Sequence, residues 1–136
     1  MIYGKGCKGN YQVLSKLAKR LPFFPDVENE RSMLYIENLC EFLCQIMIRE
    51  DEGIFFPQNK EYVKTSDLVK MIANCNNHKI RLSKALNWLV FIASKIPGKT
   101  NGIVNKAFGN LCYDKQISFC GLEYQILNLM ESIKRT

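Results

Sequence analysis

"MIYGKGCKGN", residues 1–10, carries glycines at 4, 6 and 9, the G-x-G-x-x-G spacing of a dinucleotide-binding turn. The fold depends on whether this run opens a coenzyme-binding βαβ unit or closes a strand. A coenzyme turn needs a buried strand feeding a tight turn and a helix N-terminus, so that backbone N–H groups and the helix dipole meet a pyrophosphate. Only Met1, Ile2 and Tyr3 precede Gly4, too few for the first strand of such a unit. Asp26 and Glu28 stand about 20 residues on, where a ribose-binding carboxylate belongs, but they follow "LPFFP" (21–25), whose two prolines do not suit a central parallel strand. The run therefore reads as a strand end and a lysine-bearing loop, with glycine at positions of positive φ.

Working outward, 136 residues make one ordinary domain or a piece of a larger one, and with 47% of them hydrophobic the chain can bury a real core. The 19 Lys and Arg against 13 Asp and Glu give a formal charge of +6, which permits an anionic partner. The lysines are scattered (Lys5, Lys8, Lys16, Lys19, Lys60, Lys64, Lys70, Lys79) rather than stacked, so no nucleic-acid partner is indicated. There is no internal repeat, and no apolar run is long enough for a transmembrane segment. Cys7, Cys40, Cys44, Cys75, Cys112 and Cys120 follow no signal peptide, and Cys40 and Cys44 fall in an apolar helical stretch, where free thiols act as small hydrophobes. They read as reduced, in a cytoplasmic protein. Cys75-x-x-His78 is half a zinc site, but His78 is the only histidine and no second pair stands at finger spacing.

Helical and strand-like periods alternate along the chain. Asn10 can cap a helix through about Arg20, with Val13, Leu14, Leu17 and Leu21 at helical spacing. Phe23-Phe24 is a short extended piece. Residues 31–50 start extended and become a helix with the stripe Leu39, Cys40, Leu43, Ile46 and Met47. "GIFFPQ" (53–58) reads as a strand, Thr65 or Ser66 as the cap of a helix burying Leu68, Val69, Ile72 and Cys75, and "HKIRLS" (78–83) as a short strand. In "ALNWLVFIASKI" (85–96) Leu86, Leu89, Ala93 and Ile96 make one helix face, while Trp88, Val90, Phe91 and Ile92 spill around the rest. A helix apolar on most sides is a core or interface helix, or one that lies on a membrane surface.

Taken in order, "MIYGKGCKGN", "LPFFPDVENERSMLYIENLCEF" (21–42), "GIFFPQNKEYVKTSDLVKMIA" (53–73) and "FGNLCYDKQIS" (108–118) make nearly the whole chain resemble the C-terminal part of the NAD-dependent epimerase/dehydratase family, the extended short-chain dehydrogenases acting on nucleotide sugars. The resemblance implies an α/β fold, helix-rich α+β as an isolated piece, with short strands and about five helices. Residues 1–136 would be a single nucleotide-sugar-binding domain, the glycines closing a late strand. The coenzyme fingerprint would lie upstream, in an N-terminal Rossmann half absent from these residues and expected as their partner.

The family's block Arg-x-x-x-x-(Val/Ile)-x-Asp-(Leu/Val) is matched by Arg31, Ile36 and Leu39, with Asn38 at the aspartate position. By resemblance Arg31 reaches the diphosphate of a UDP-sugar, and Lys106 in "VNKAFGN" (104–110) is the second cation, a point charge without the bidentate fork of arginine. Asn10 and Leu14 match the helix start bordering the nucleotide, and backbone groups of Pro22, Phe23 and Phe24 match the edge that reads the base. Charge-assisted Arg and Lys contacts are the usual means of holding a diphosphate. On the residues alone, Arg31 also reads as a solvated cation among Glu28, Glu30 and Glu37, and Phe23 and Phe24 as core.

The family's reaction takes a hydride to NAD and moves a proton with a Tyr-x-x-x-Lys pair. None of the six tyrosines has a lysine four residues on. The resemblance thus implies NAD in the full-length parent but no cofactor, catalytic residue or turnover in this chain alone. The implied parent activity is epimerisation of a nucleotide sugar, with 4-epimerisation of a UDP-hexose the commonest version and a dehydratase or reductase the close alternative. From another class, the chain reads as a stand-alone basic interaction module docking through residues 85–96. Its uncovered apolar surface and orphaned strands lead us to expect a homodimer.

Overall fold

Residues 1–95, 105, 107–118 and 121–136 are described by the computed structural model. β1 (Ile2–Tyr3) ends at Gly4, and Gly4, Gly6 and Gly9 all take positive φ, as the strand-end reading requires. At Gly4 the need is also steric, since a Cβ there would stand 2.3 Å from Ile36 Cγ2. α1 (Asn10–Ala18) turns Tyr11, Leu14 and Ala18 inward. Its cap is Gly9, not Asn10: the Gly9 carbonyl already accepts from Gln12 N–H, and Asn10 lies inside the helix.

β2 (Phe23–Pro25) pairs in parallel with β4 (Arg81–Ser83), the strand expected in "HKIRLS". Proline is tolerated because this sheet is two strands wide, which makes β2 an edge strand. β3 (Leu34–Tyr35) pairs in parallel with β1, Ile2 opposite Leu34 and Tyr3 opposite Tyr35, and runs straight into α2 (Ile36–Arg49). "GIFFPQ" forms no strand. Its Phe55 turns to the Phe42 ring at 5.8 Å, and the Gln58 side chain bonds Ser32 Oγ and Ser118 Oγ, so side chains rather than a ladder anchor it.

α3 (Thr65–Cys75) buries Leu68, Val69 and Ile72 as its spacing predicts. The cap position is Lys64 rather than Thr65 or Ser66, because the Asn29 amide reaches the helix start from outside: its Oδ1 accepts from Thr65 N–H and its Nδ2 donates to Thr65 Oγ1, each at 3.0 Å. α1 and α5 (Leu129–Lys134) both pack on α3. Between them Tyr3 lies 4.9 Å from Tyr11 and 5.5 Å from Tyr35 by ring centroid. Asn128 and Glu131 cap the start of α5 with a capping box. The architecture is mixed α/β, helices around two small parallel sheets.

Two helices depart from the periodicity reading. α2 buries Asn38 and Phe42, whereas Leu43 and Met47 of the expected stripe are 48% and 68% exposed. Cys40 and Cys44 are exposed free thiols, not core hydrophobes. The cause is Asn38, whose amide donates to the Leu127 carbonyl at 3.0 Å and accepts from Leu127 N–H at 3.1 Å, fixing the helix with its polar position inward. α4 (Asn87–Lys95), reached through a 3-10 turn at Lys84–Leu86, buries no residue, so it is not a core helix; Ile96 lies outside the described residues. Among the described residues no helix is long and apolar enough to cross a membrane.

Candidate functional site

Arg31 sits in an extended segment held from two sides. Its own N–H and C=O pair with Val63, and its neighbours Glu30 and Ser32 pair with Leu111. This double ladder leaves the residue only 6% exposed. The guanidinium Nη1 donates to the Gly109 carbonyl at 2.8 Å. All 13 acidic residues lie in described segments, and none forms an ion pair with Arg31. Glu28 pairs with Lys64, and Glu37 with Arg135. The solvated-cation reading therefore fails: Arg31 is a buried cation without a carboxylate, and burial holds its pKa below the ordinary arginine value.

The segment that receives Arg31 is itself anchored. Ala107 C=O accepts from Thr65 Oγ1 at 2.6 Å, and the Phe108 ring lies 5.7 Å from Phe24. Gly109 N–H returns to the Asn105 carbonyl at 2.8 Å, a closure so tight that a Cβ at 109 would meet that oxygen at 2.5 Å. Lys106 lies outside the described residues. Phe24 is thus core, 3% exposed, and joins β2 to the turn that faces Arg31.

On β2, Pro22 C=O accepts from Arg81 N–H and Asp26 N–H donates to Ser83 C=O. Ladder alternation therefore turns the N–H and C=O of Phe23 to the opposite edge. There Pro25 C=O is taken by Ser66 Oγ at 2.8 Å. Phe23 itself is 51% exposed and Pro22 is exposed. Asn10 is half-buried in the first turn of α1, and Leu14 is 4% exposed in the core beneath that helix. The structure thus links Arg31 to Phe24 through Phe108-Gly109, leaves the backbone edge at Phe23 unpaired among the described residues, and places Leu14 in packing.

Three buried amides were not singled out by sequence reasoning. Asn29 serves α3. Gln58 accepts from Ser32 Oγ, donates to Ser118 Oγ, and exchanges backbone bonds with the Tyr124 hydroxyl at 2.9 Å. Asn59 accepts from Tyr35 N–H at 3.1 Å and donates to the Tyr3 hydroxyl at 3.1 Å. Two amides directly after an apolar run and a proline were the available signal. Burial, and next Glu37, pushes the Tyr35 phenol up to about 12.

In a dinucleotide-binding turn the third glycine lets helix and strand approach closely; at Gly9, the third here, a Cβ would meet nothing within 4 Å. Among the described residues no group of three or more His, Cys, Asp or Glu could hold a metal, and His78 Nε2 lies 3.0 Å from the Leu21 carbonyl. The chemistry on offer is recognition of an anion by a fixed guanidinium. Compared with family models, curated proteins and solved structures, the chain finds no match in any of the three.

Proposed function

We propose that this chain is the nucleotide-sugar-binding domain of an NAD-dependent epimerase of the extended short-chain dehydrogenase type, with Arg31 and Lys106 as the cations for the diphosphate of a UDP-hexose. The observation that carries the proposal is the buried Arg31 guanidinium without a carboxylate, because a desolvated cation calls for an anion or strong acceptors beside it. The open Phe23 edge supplies one donor and one acceptor for a base. NAD chemistry belongs, on this proposal, to sequence outside residues 1–136, and a dehydratase or reductase would use the same diphosphate contacts.

Amide NMR spectra during a UDP titration test it. The expected shifts concentrate on Phe23, Arg31, Ser32 and Gly109; none at millimolar UDP, or shifts confined elsewhere, would overturn the assignment. The chain alone should show neither epimerase turnover nor NAD affinity, and a micromolar NAD constant by calorimetry would contradict this.

A second reading, a stand-alone interaction module, is favoured by α4, where Trp88 and Phe91 are 58% and 63% exposed. Trp88 fluorescence separates the two: a module shifts it to the blue on binding a partner protein or vesicle and ignores UDP.

A further inference from the structure

We propose that a second copy of this chain docks on the surface running from the free edge of β1, across the groove beside α2, to the exposed stripe of α2. This goes beyond the nucleotide-sugar reading and stands without it.

The sheet edge comes first. Leu34 N–H donates to Met1 C=O at 2.9 Å, so ladder alternation points the N–H and C=O of Ile2 away from β3. The outer edge of β3 is closed by Asn59, whose N–H bonds Met33 C=O at 2.7 Å and whose Oδ1 accepts from Tyr35 N–H at 3.1 Å. Among the described residues this sheet therefore has one open edge. Paired with its own copy about a two-fold axis, a single open edge closes at two chains, whereas two open edges would propagate. Ile2 facing Ile2 of the second copy forms a hydrogen-bonded antiparallel pair.

The apolar surface is continuous with that edge. Ile2, 50% exposed, lines a groove of about 380 Å³ with Leu34, Leu39 and Phe55. Leu39 leads onto the α2 stripe of Cys40, Leu43, Cys44, Met47 and Ile48, spaced i, i+3, i+4, i+7 and i+8, with Ile48 82% exposed. The stripe carries no charge. Of the charges bordering it, Glu37 pairs with Arg135 at 2.9 Å and Arg49 with Asp51 at 2.9 Å, while Glu41 accepts from the Gln45 amide at 2.7 Å. The second copy gives the parallel sheet the cover that such sheets need.

Light scattering of the 136-residue chain across a concentration series, under reducing conditions, is the test. The mass should rise from one chain to two and stop there. Leu43→Glu with Met47→Glu should weaken the dimer by about tenfold or more, with the melting temperature held because neither side chain is in the core. Ile2→Pro, which removes the outward N–H and leaves the bonds to β3, should weaken it as well. A strictly monomeric mass at the highest soluble concentration, growth beyond two chains, or a dimer that survives these variants and dissolves with Trp88→Glu and Phe91→Glu would each overturn the proposal.

Discussion

Around Arg31 the molecule hides polar groups, and along α2 and α4 it shows apolar ones. In the first region Asn29, Gln58 and Asn59 are buried and each amide finds partners inside the chain, so what is left over is one positive charge. In the second region Met47, Ile48, Trp88 and Phe91 are more than half exposed, and what is left over is apolar area. A fold completes its internal hydrogen bonds before it completes its surface, because an unpaired buried amide costs more than an exposed methyl group. On the two proposals above, an anion answers the first remainder and a second copy's apolar surface the other.

The comparison breaks most visibly at Asn38. Asn38→Asp loses the donor to Leu127 C=O and buries a carboxylate at a fully enclosed position, which should cost about 3 kcal/mol or more in urea unfolding at neutral pH. The pH dependence sharpens this. A buried aspartate has its folded pKa raised, so the variant's stability is fully present below the unfolded value of about 3.9 and is lost as pH rises through the folded pKa. The variant should therefore close part of its gap to the native chain on acidification, and a gap independent of pH would show that the amide's charge-free donor is not what matters. Next comes Gly4→Ala, where the clash with Ile36 and the positive φ should cost about 1–3 kcal/mol, since neighbours on β3 and α2 must shift. Smaller again is an alkaline effect from Tyr35. Its folded pKa near 12 exceeds that of an unfolded tyrosine near 10, so its contribution is present below about pH 10 and fades toward pH 12; Tyr35→Phe should flatten that part of the stability curve. Smallest is Leu43→Glu with Met47→Glu, within about 0.5 kcal/mol for the monomer, because these side chains lie outside the core.

Local patterns in the sequence revealed local structure. The strand end at Gly4, the buried face of α3 and the extended pieces at 23–25 and 81–83 follow from glycine conformation, helical spacing and strand propensity, each decided within a few residues. α2 could not be read that way. Its orientation is set by bonds between Asn38 and Leu127, 89 positions apart, and a periodicity rule assigns the apolar stripe inward by default. The same holds for 53–58, which has strand composition but is held by Phe55 and by the side-chain bonds of Gln58 and Asn59. At the candidate site, Arg31 is legible in the sequence as a cation, whereas its burial is not, since that depends on bridges to Val63 and Leu111.

Calorimetric titration of UDP into the native chain, Arg31→Lys and Arg31→Ala tests the central claim most directly. The buried guanidinium predicts measurable UDP binding in the native chain. Arg31→Ala should lose the roughly 1.5–3 kcal/mol of a charged hydrogen bond, about 10- to 150-fold in the dissociation constant, with Arg31→Lys between the two. No UDP binding by a folded native chain, or an equal constant in all three proteins, would contradict it.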